Sequence, residues 1–69
     1  MSNRRMYVQG EFTPAESERD AAARLMRELD DEAARNGMAV TGDVEILTSK
    51  QSVFAVPRQM YLEADVVPR

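Results

Sequence analysis

The fold is decided by residues 13–37, which read TPAESERDAAARLMRELDDEAARNG. No Gly or Pro interrupts residues 15–36, and Ala, Leu, Met, Arg and Glu dominate them, as in a stable helix. Thr13 suits the N-cap, Pro14 the first helical position, and Glu16 the closing residue of a capping box. We therefore expect one long helix from Pro14 to about Asn36, ended by the left-handed glycine that follows.

One face of this predicted helix is apolar. The apolar side chains follow the i, i+3, i+4, i+7, i+11 spacing of a single stripe and are Ala22, Leu25, Met26, Leu29 and Ala33. Oppositely charged pairs four residues apart, such as Asp20 with Arg24, occupy the other side. The pattern indicates an amphipathic helix that packs on a sheet and exposes its back to water.

Three segments have the alternating pattern of half-buried strands. In residues 4–12, Met6, Val8, Gly10 and Phe12 share one face, and the internal Gly10 indicates a bulge or a close backbone approach. Residues 38–48 form a second strand, firm over 43–48. The third strand is 58–67, after Pro57, which cannot donate a ladder hydrogen bond.

The predicted fold class is α+β, with the element order β-α-β-β and one helix packed on a three-stranded sheet. The crossover helix favours a parallel or near-neighbour placement of the first two strands, and the last two form a hairpin. The chain is one domain, 1–69, with flexible ends at 1–3 and 68–69. One helix leaves a sheet face and both edges open, so we expect a homodimer or larger assembly to complete the fold.

Composition excludes several function classes. With 69 residues, the core is small and its stability marginal, which also favours oligomerisation. The chain has no His and no Cys, which removes disulfides and the commonest general base, nucleophile and zinc ligands. We expect no enzyme, no cofactor and no metal site. The net charge of −3 and the dispersed basic residues argue against nucleic-acid binding.

Acidic residues on the second and third strands are candidates for a binding surface. If these strands pair, Asp43, Glu45, Glu63 and Asp65 share one sheet face. The simplest interpretation is a solvent-facing side of the sheet. The alternatives are an acidic surface that recognises a basic partner or mimics nucleic-acid charge, and a metal site. A second acidic run, 30–32, is interpreted as the solvated back of the helix.

Aromatic and aliphatic side chains on polar strand faces are candidates for an interface. Tyr7, Leu47 and Tyr61 have this position, which is typical of interface anchors. The alternative is cross-strand packing within one protomer. Phe54, three residues before Pro57, belongs either to the core or to a contact with a neighbouring subunit. The predicted interface residues are therefore Tyr7, Glu45, Leu47, Phe54, Tyr61 and Glu63.

The expected location is the cytoplasm. No apolar run approaches the roughly 20 residues that cross a bilayer, so we expect no membrane partner. Arg4 and Arg5 are not followed by the apolar segment of a signal peptide. The absence of Cys agrees with a reducing compartment.

Two resemblances add to this reading. The length and the β-α-β-β order resemble dodecin, a small flavin-storing dodecamer. That resemblance implies topology only, because this chain has no Trp for a flavin to stack on and its predicted helix is longer. The Arg-rich, Cys-free composition and the amphipathic stretch 16–36 are similar to small accessory proteins of actinobacterial phages, which implies binding to a host protein in the host cytoplasm.

The expected function is therefore non-enzymatic protein binding, with itself and with another protein as partners. The alternatives are a flavin- or nucleotide-binding oligomer of dodecin-like build and an acidic inhibitor or DNA-mimic protein.

Overall fold

Four elements make up the fold, and they confirm the predicted β-α-β-β order. The structure, a computed structural model, describes residues 4–50 and 57–69. The elements are β1 (Arg4–Phe12), α1 (Glu18–Arg35), β2 (Met38–Thr48) and β3 (Arg58–Pro68). The helix packs on one face of a three-stranded antiparallel sheet, as expected for an α+β fold.

The sheet has the strand order β1-β3-β2, and β3 pairs antiparallel with both neighbours. The predicted hairpin of the last two strands is confirmed. β1 and β2 run in the same direction, but they are not hydrogen-bonded neighbours because β3 lies between them. Burial alternates along this central strand, where Met60, Leu62, Ala64 and Val66 face the helix.

β2 is irregular where its sequence contains Gly42. Residues 38–41 pair with β3, so the strand is longer at its start than the predicted firm part, 43–48. The register then shifts between Thr41 and Glu45, and Gly42 has a φ of +71°. That left-handed conformation costs Gly little, which explains why the interruption occurs at this residue.

The helix begins four residues later than predicted, so the assignment of Thr13 as N-cap and Pro14 as first helical residue is wrong. Thr13 and Pro14 lie in a turn, closed by the Glu16 N–H, which donates to the Thr13 carbonyl at 2.9 Å. The N-cap is Ser17, whose Oγ accepts a hydrogen bond from the Asp20 N–H at 3.1 Å. The sequence therefore contains two residues suited to the N-cap, Thr13 and Ser17, and the helix begins after the second.

Glu16 is held outside the helix by Arg24, which explains the later start. The Arg24 guanidinium donates to both Glu16 carboxylate oxygens, at 3.0 and 3.2 Å, and to the Glu11 carbonyl at 2.9 Å. These bonds join the turn, the helix and the end of β1. They also lower the pKa of Glu16, chiefly through the hydrogen bond from Arg24. Glu16 therefore binds Arg24 and does not form the predicted capping box with Thr13.

The helix ends as predicted, just before Gly37. This residue has a φ of +71°, and its N–H donates to the Ala34 carbonyl at 3.0 Å. Beyond β3, the Arg69 N–H donates to the Gly37 carbonyl at 2.9 Å. The end of the helix and the end of the chain therefore meet.

The core lies between the predicted apolar stripe and the sheet. On α1 the buried residues are Ala21, Leu25, Leu29 and Ala33, and Ala22 and Met26 are partly buried beside them. One cluster surrounds Leu25 and includes Phe12, Met60 and Leu62. A second joins Ala33 to Met38 and Val66. Both clusters lie on the helix side of the sheet.

Gly10 leaves room for Leu25 in this core. A Cβ atom added to Gly10 would lie 2.7 Å from Leu25 Cδ2, well inside van der Waals distance. The pairing of β1 with β3 is continuous through this position, so there is no bulge. Of the two interpretations of Gly10, the close approach is confirmed.

Candidate interaction surface

The helix covers one face of the sheet, and we call the other the open face. Because side chains alternate along a strand and directly paired residues share a face, the register defines its members. They are Arg5, Tyr7, Gln9 and Glu11 on β1, Gln59, Tyr61, Glu63 and Asp65 on β3, and Thr41, Glu45 and Leu47 on β2.

Three apolar or aromatic side chains cross the open face diagonally. The rings of Tyr7 and Tyr61 stack with their centroids 5.4 Å apart and their planes inclined by 26°. Leu47 is the direct partner of Tyr61 on β2. Tyr7 is 62% exposed and Leu47 is 61% exposed, while Tyr61 between them is half-buried. We call these three residues the diagonal.

Strand alternation alone predicted that each of these three side chains lies on a polar strand face. Cross-strand packing within the protomer, one of the two interpretations of the tyrosines, accounts for the stacked rings. It leaves most of Tyr7 and Leu47 in contact with solvent. Their role in an interface stays a prediction.

Arg5 lies among three carboxylates on the same face. Its Nε is 2.7 Å from Glu63 Oε2, its Nη1 is 3.0 Å from Asp65 Oδ1, and its Nη2 is 3.3 Å from Glu45 Oε1. Each of the three guanidinium nitrogens therefore faces a different carboxylate. We call this group the Arg5 cluster.

Glu63 links the Arg5 cluster to the diagonal. The Tyr61 hydroxyl donates to Glu63 Oε1 at 2.5 Å, while Arg5 holds the other carboxylate oxygen. Both hydrogen bonds favour the ionised carboxylate, so the pKa of Glu63 lies below its ordinary value, with Tyr61 as the larger cause. The same bond raises the pKa of Tyr61. The hydrogen bond therefore stabilises the ionised carboxylate of Glu63 and the protonated hydroxyl of Tyr61.

The structure places the predicted acidic residues only partly together. Glu45, Glu63 and Asp65 share the open face, whereas Asp43 lies in the irregular segment of β2. The sequence reasoning missed Arg5, although its alternation with Tyr7 placed it on this face. Among residues 4–50 and 57–69, no group of three or more acidic, His or Cys side chains is arranged to hold a metal ion.

The remaining candidates lie elsewhere. Phe54 lies outside the described residues. In the acidic run on the helix, Asp30 and Asp31 are exposed, and Glu32 forms an ion pair with Arg35 at 3.2 Å. These side chains lie on α1, apart from the open face.

Two depressions lie on the described surface. One, of about 280 Å³, lies where the turn before α1 meets Phe12 and Arg58. The other, of about 640 Å³, is a wide groove along the outer edge of β1, which we call the edge groove. Its lining residues are Tyr7, Val8 and Gln9 on β1 and Glu28, Glu32 and Arg35 on α1.

The described part of the chain has no helix that combines the length and the apolar character needed to cross a membrane.

Comparisons with protein-family models, with curated proteins and with solved structures found no match to this chain.

Proposed function

We propose that the protein is a non-enzymatic, cytoplasmic protein-binding module whose open face binds a partner protein with a basic surface. The observation that carries this proposal is the exposure of Tyr7 and Leu47, at 62% and 61%, on the sheet face opposite the helix. Large apolar side chains that are clustered on an otherwise polar face are typical of a docking site.

The diagonal has the composition of an interface centre. Tyrosine offers a large, stiff surface at a low cost in conformational entropy, and the stack on Tyr61 orders the ring of Tyr7 before any partner arrives. Leu47 extends the same surface onto β2. A partner that covers these side chains removes apolar area from water without rearranging the sheet.

The charge around the diagonal supports a basic partner. The open face carries four carboxylates, from Glu11, Glu45, Glu63 and Asp65, and the last three of these surround the guanidinium of Arg5. The Glu45 side chain is 66% exposed and accessible to a partner's Lys or Arg. A surface of this sign steers a basic partner toward it and repels another acidic one. Two copies of this face would therefore repel each other.

The Arg5 cluster makes a DNA mimic a weaker proposal than a module that binds a basic partner. A DNA mimic presents unneutralised carboxylates in place of phosphates, whereas Arg5 lies between three of the carboxylates here. The resemblance to phage accessory proteins supports a host protein as the partner.

Leu47 and Ile46 provide a matched pair of variants for the test. They are neighbours with similar exposure, 61% and 51%, but the register places Leu47 on the open face and Ile46 on the helix side, opposite Leu62. We expect Leu47→Ser to lose the partner and Ile46→Ser to retain it. Glu45→Lys should weaken the same binding, more strongly at low salt than at high salt.

The measurement is affinity purification from the native cell with the wild type and these three variants as baits, followed by mass spectrometry. Titration of the purified partner then gives the affinities. A partner with a basic surface that depends on Leu47 and Glu45 supports the proposal. Partners captured equally by the wild type, Leu47→Ser and Glu45→Lys would contradict it.

A further inference from the structure

We infer that two copies of this chain pair through the outer edges of β1, antiparallel and with Val8 opposite Val8, to form one continuous six-stranded sheet. The two helices then lie on the same side of the joined sheet, and the two open faces lie together on the other. This interface is distinct from the open face and takes a second copy rather than another protein.

β1 is the edge that is open to pairing. Among the described residues, it is hydrogen-bonded to β3 on one side only, and that pairing is continuous over nine residues. The strand has no Pro and no bulge. A long, regular edge with unpaired backbone groups is a template for another strand.

The other edge of the sheet is different. β2 is interrupted between Thr41 and Glu45 by a shift in register, and Gly42 adopts a left-handed conformation there. Bulges of this kind bend an edge strand and break the row of backbone groups that a neighbour would need. Within residues 4–50 and 57–69, the fold therefore interrupts the β2 edge and leaves the outer edge of β1 unpaired.

The side chains of β1 select the register. The apolar sides of two strands join only if the register pairs residues of the same face. Of the registers that satisfy this, the one centred on Val8 pairs all nine residues, from Arg4 opposite Phe12 to Phe12 opposite Arg4. It also places Arg5 opposite Glu11 twice, related by the twofold axis, so that no like charges face each other. Each side chain also bonds within its own protomer, Arg5 to the carboxylates of its cluster and Glu11 to Gln59, so the pairing adds to those contacts. Opposite charges in directly facing positions stabilise antiparallel pairs.

Neighbouring registers lack this complementarity. A shift of the centre to Tyr7 places Arg5 opposite Gln9, and a shift to Gln9 places Glu11 opposite Tyr7. Both lose the charge pair and shorten the ladder. The strand therefore matches itself best in a single alignment.

The surroundings of the edge accommodate a partner. The edge groove, of about 640 Å³, lies between α1 and Tyr7, Val8 and Gln9, so an open depression borders this edge. On the helix side, Met6 and Val8 are only half-buried in one protomer. Pairing would bring Val8 against its copy and Met6 beside Gly10 of the partner, which adds apolar burial to a small core.

The test begins with the mass of the full chain in solution. Light scattering or sedimentation should give twice 7.8 kDa at micromolar concentration. Glu11→Arg, which places like charges opposite each other, should raise the dimer dissociation constant about tenfold. Asp30→Arg, an equal charge change on an exposed part of α1, should leave it unchanged. A monomeric wild type, or equal effects of the two variants, would overturn the inference.

The register has a separate test, because the chain contains no Cys. Residues directly opposite in an antiparallel pair have Cα atoms about 4.5–5.5 Å apart, within the range of a disulfide. Val8→Cys should therefore form a disulfide-linked dimer on mild oxidation. Gln9→Cys should not, because the two copies of residue 9 are displaced by about 7 Å along the strands. Equal cross-linking of the two variants would overturn the register.

A control separates this dimer from the open face. Leu47→Ser should leave the mass of the dimer unchanged, even if it abolishes binding of a second protein. A dimer that Leu47→Ser dissociates and Glu11→Arg does not would place self-association on the open face and overturn the inference. Circular dichroism of every variant shows whether it folds.

Discussion

Glu45 on β2 lies directly opposite Glu63 on β3, and the two carboxylates share the guanidinium of Arg5. Like charges in directly facing positions destabilise a sheet. Arg5 reaches them from β1, the far side of the central strand, and also contacts Asp65. One cation therefore joins all three strands across the open face and makes an otherwise repulsive pairing tolerable.

Removal of Arg5 should expose this repulsion. We expect Arg5→Met to lower the melting temperature, and the deficit to shrink at high salt because salt screens exposed carboxylates. Glu45→Gln should restore part of the loss in the Arg5→Met background and have little effect in the wild type. Thermal unfolding followed by circular dichroism at two salt concentrations measures all four proteins. Equal effects of Glu45→Gln in both backgrounds would show that Arg5 does not relieve this repulsion.

An added methyl group at Gly10 should destabilise the fold through its contact with Leu25. The new Cβ of Gly10→Ala would lie 2.7 Å from Leu25 Cδ2, and overpacking of this kind costs about 1–3 kcal/mol. The preference of a strand for Ala over Gly offsets about 0.5–1 kcal/mol of that cost. Urea denaturation should therefore show a net loss of about 1 kcal/mol.

The double variant identifies the cause of that loss. Leu25→Val removes a methylene group from the contact, so Gly10→Ala should cost less in the Leu25→Val background than in the wild type. Gly42→Ala provides a contrast, because nothing lies within 4 Å of its added Cβ and its cost comes from a φ of +71°. Leu25→Val should not reduce that cost. Additive effects of Gly10→Ala and Leu25→Val would contradict the proposed clash.

The two cap signals before α1 should differ in their effect on stability. Ser17→Ala removes the acceptor of the Asp20 N–H and should cost about 1 kcal/mol. Thr13→Ala removes only a 3.3 Å bond from the Ala15 N–H to Thr13 Oγ1 in an exposed turn, and should cost less than about 0.5 kcal/mol. Urea denaturation compares the two variants directly. The reverse order would place the start of the helix at Thr13.

Those two caps show where sequence patterns stop being decisive. Both Thr13 and Ser17 fit the residue preferences of an N-cap, and local propensity cannot choose between them. The choice is made by Arg24, which holds Glu16 in the turn through a contact eight residues along the chain and also reaches the Glu11 carbonyl. By contrast, the left-handed end at Gly37 depends only on local geometry, and the sequence predicted it.

The open face also has a part that the sequence predicts and a part that it does not. Each strand's pattern places Tyr7, Leu47 and Tyr61 on a polar face, because burial of the opposite side imposes a period of two. No such pattern shows that β3 lies between β1 and β2. The Arg5 cluster depends on that order, since it exists only when Arg5 faces Asp65 and Glu45 faces Glu63. It was therefore accessible only from the three-dimensional arrangement.

Glu63 should make the stability of the fold depend on acid pH. Its pKa is lowered in the folded protein by the hydrogen bonds from Tyr61 and Arg5, relative to an ordinary value of 4.5. A carboxyl group with a lowered folded pKa stabilises the protein fully above its unfolded pKa, and this contribution is lost as the pH falls through the folded value. The wild type should therefore lose stability progressively from just above pH 4.5 downward.

Glu63→Gln should remove this part of the pH dependence. We expect the wild type to be more stable than Glu63→Gln at pH 7, and the difference to narrow as the pH falls below 4.5, because protonation of Glu63 makes the two side chains alike. Asp30→Asn controls for the loss of one negative charge on an exposed part of the helix. Urea denaturation between pH 7 and about pH 2.5 measures the difference. A gap between the wild type and Glu63→Gln that stays constant over this range would show that the bonds to Tyr61 and Arg5 do not favour the ionised carboxylate.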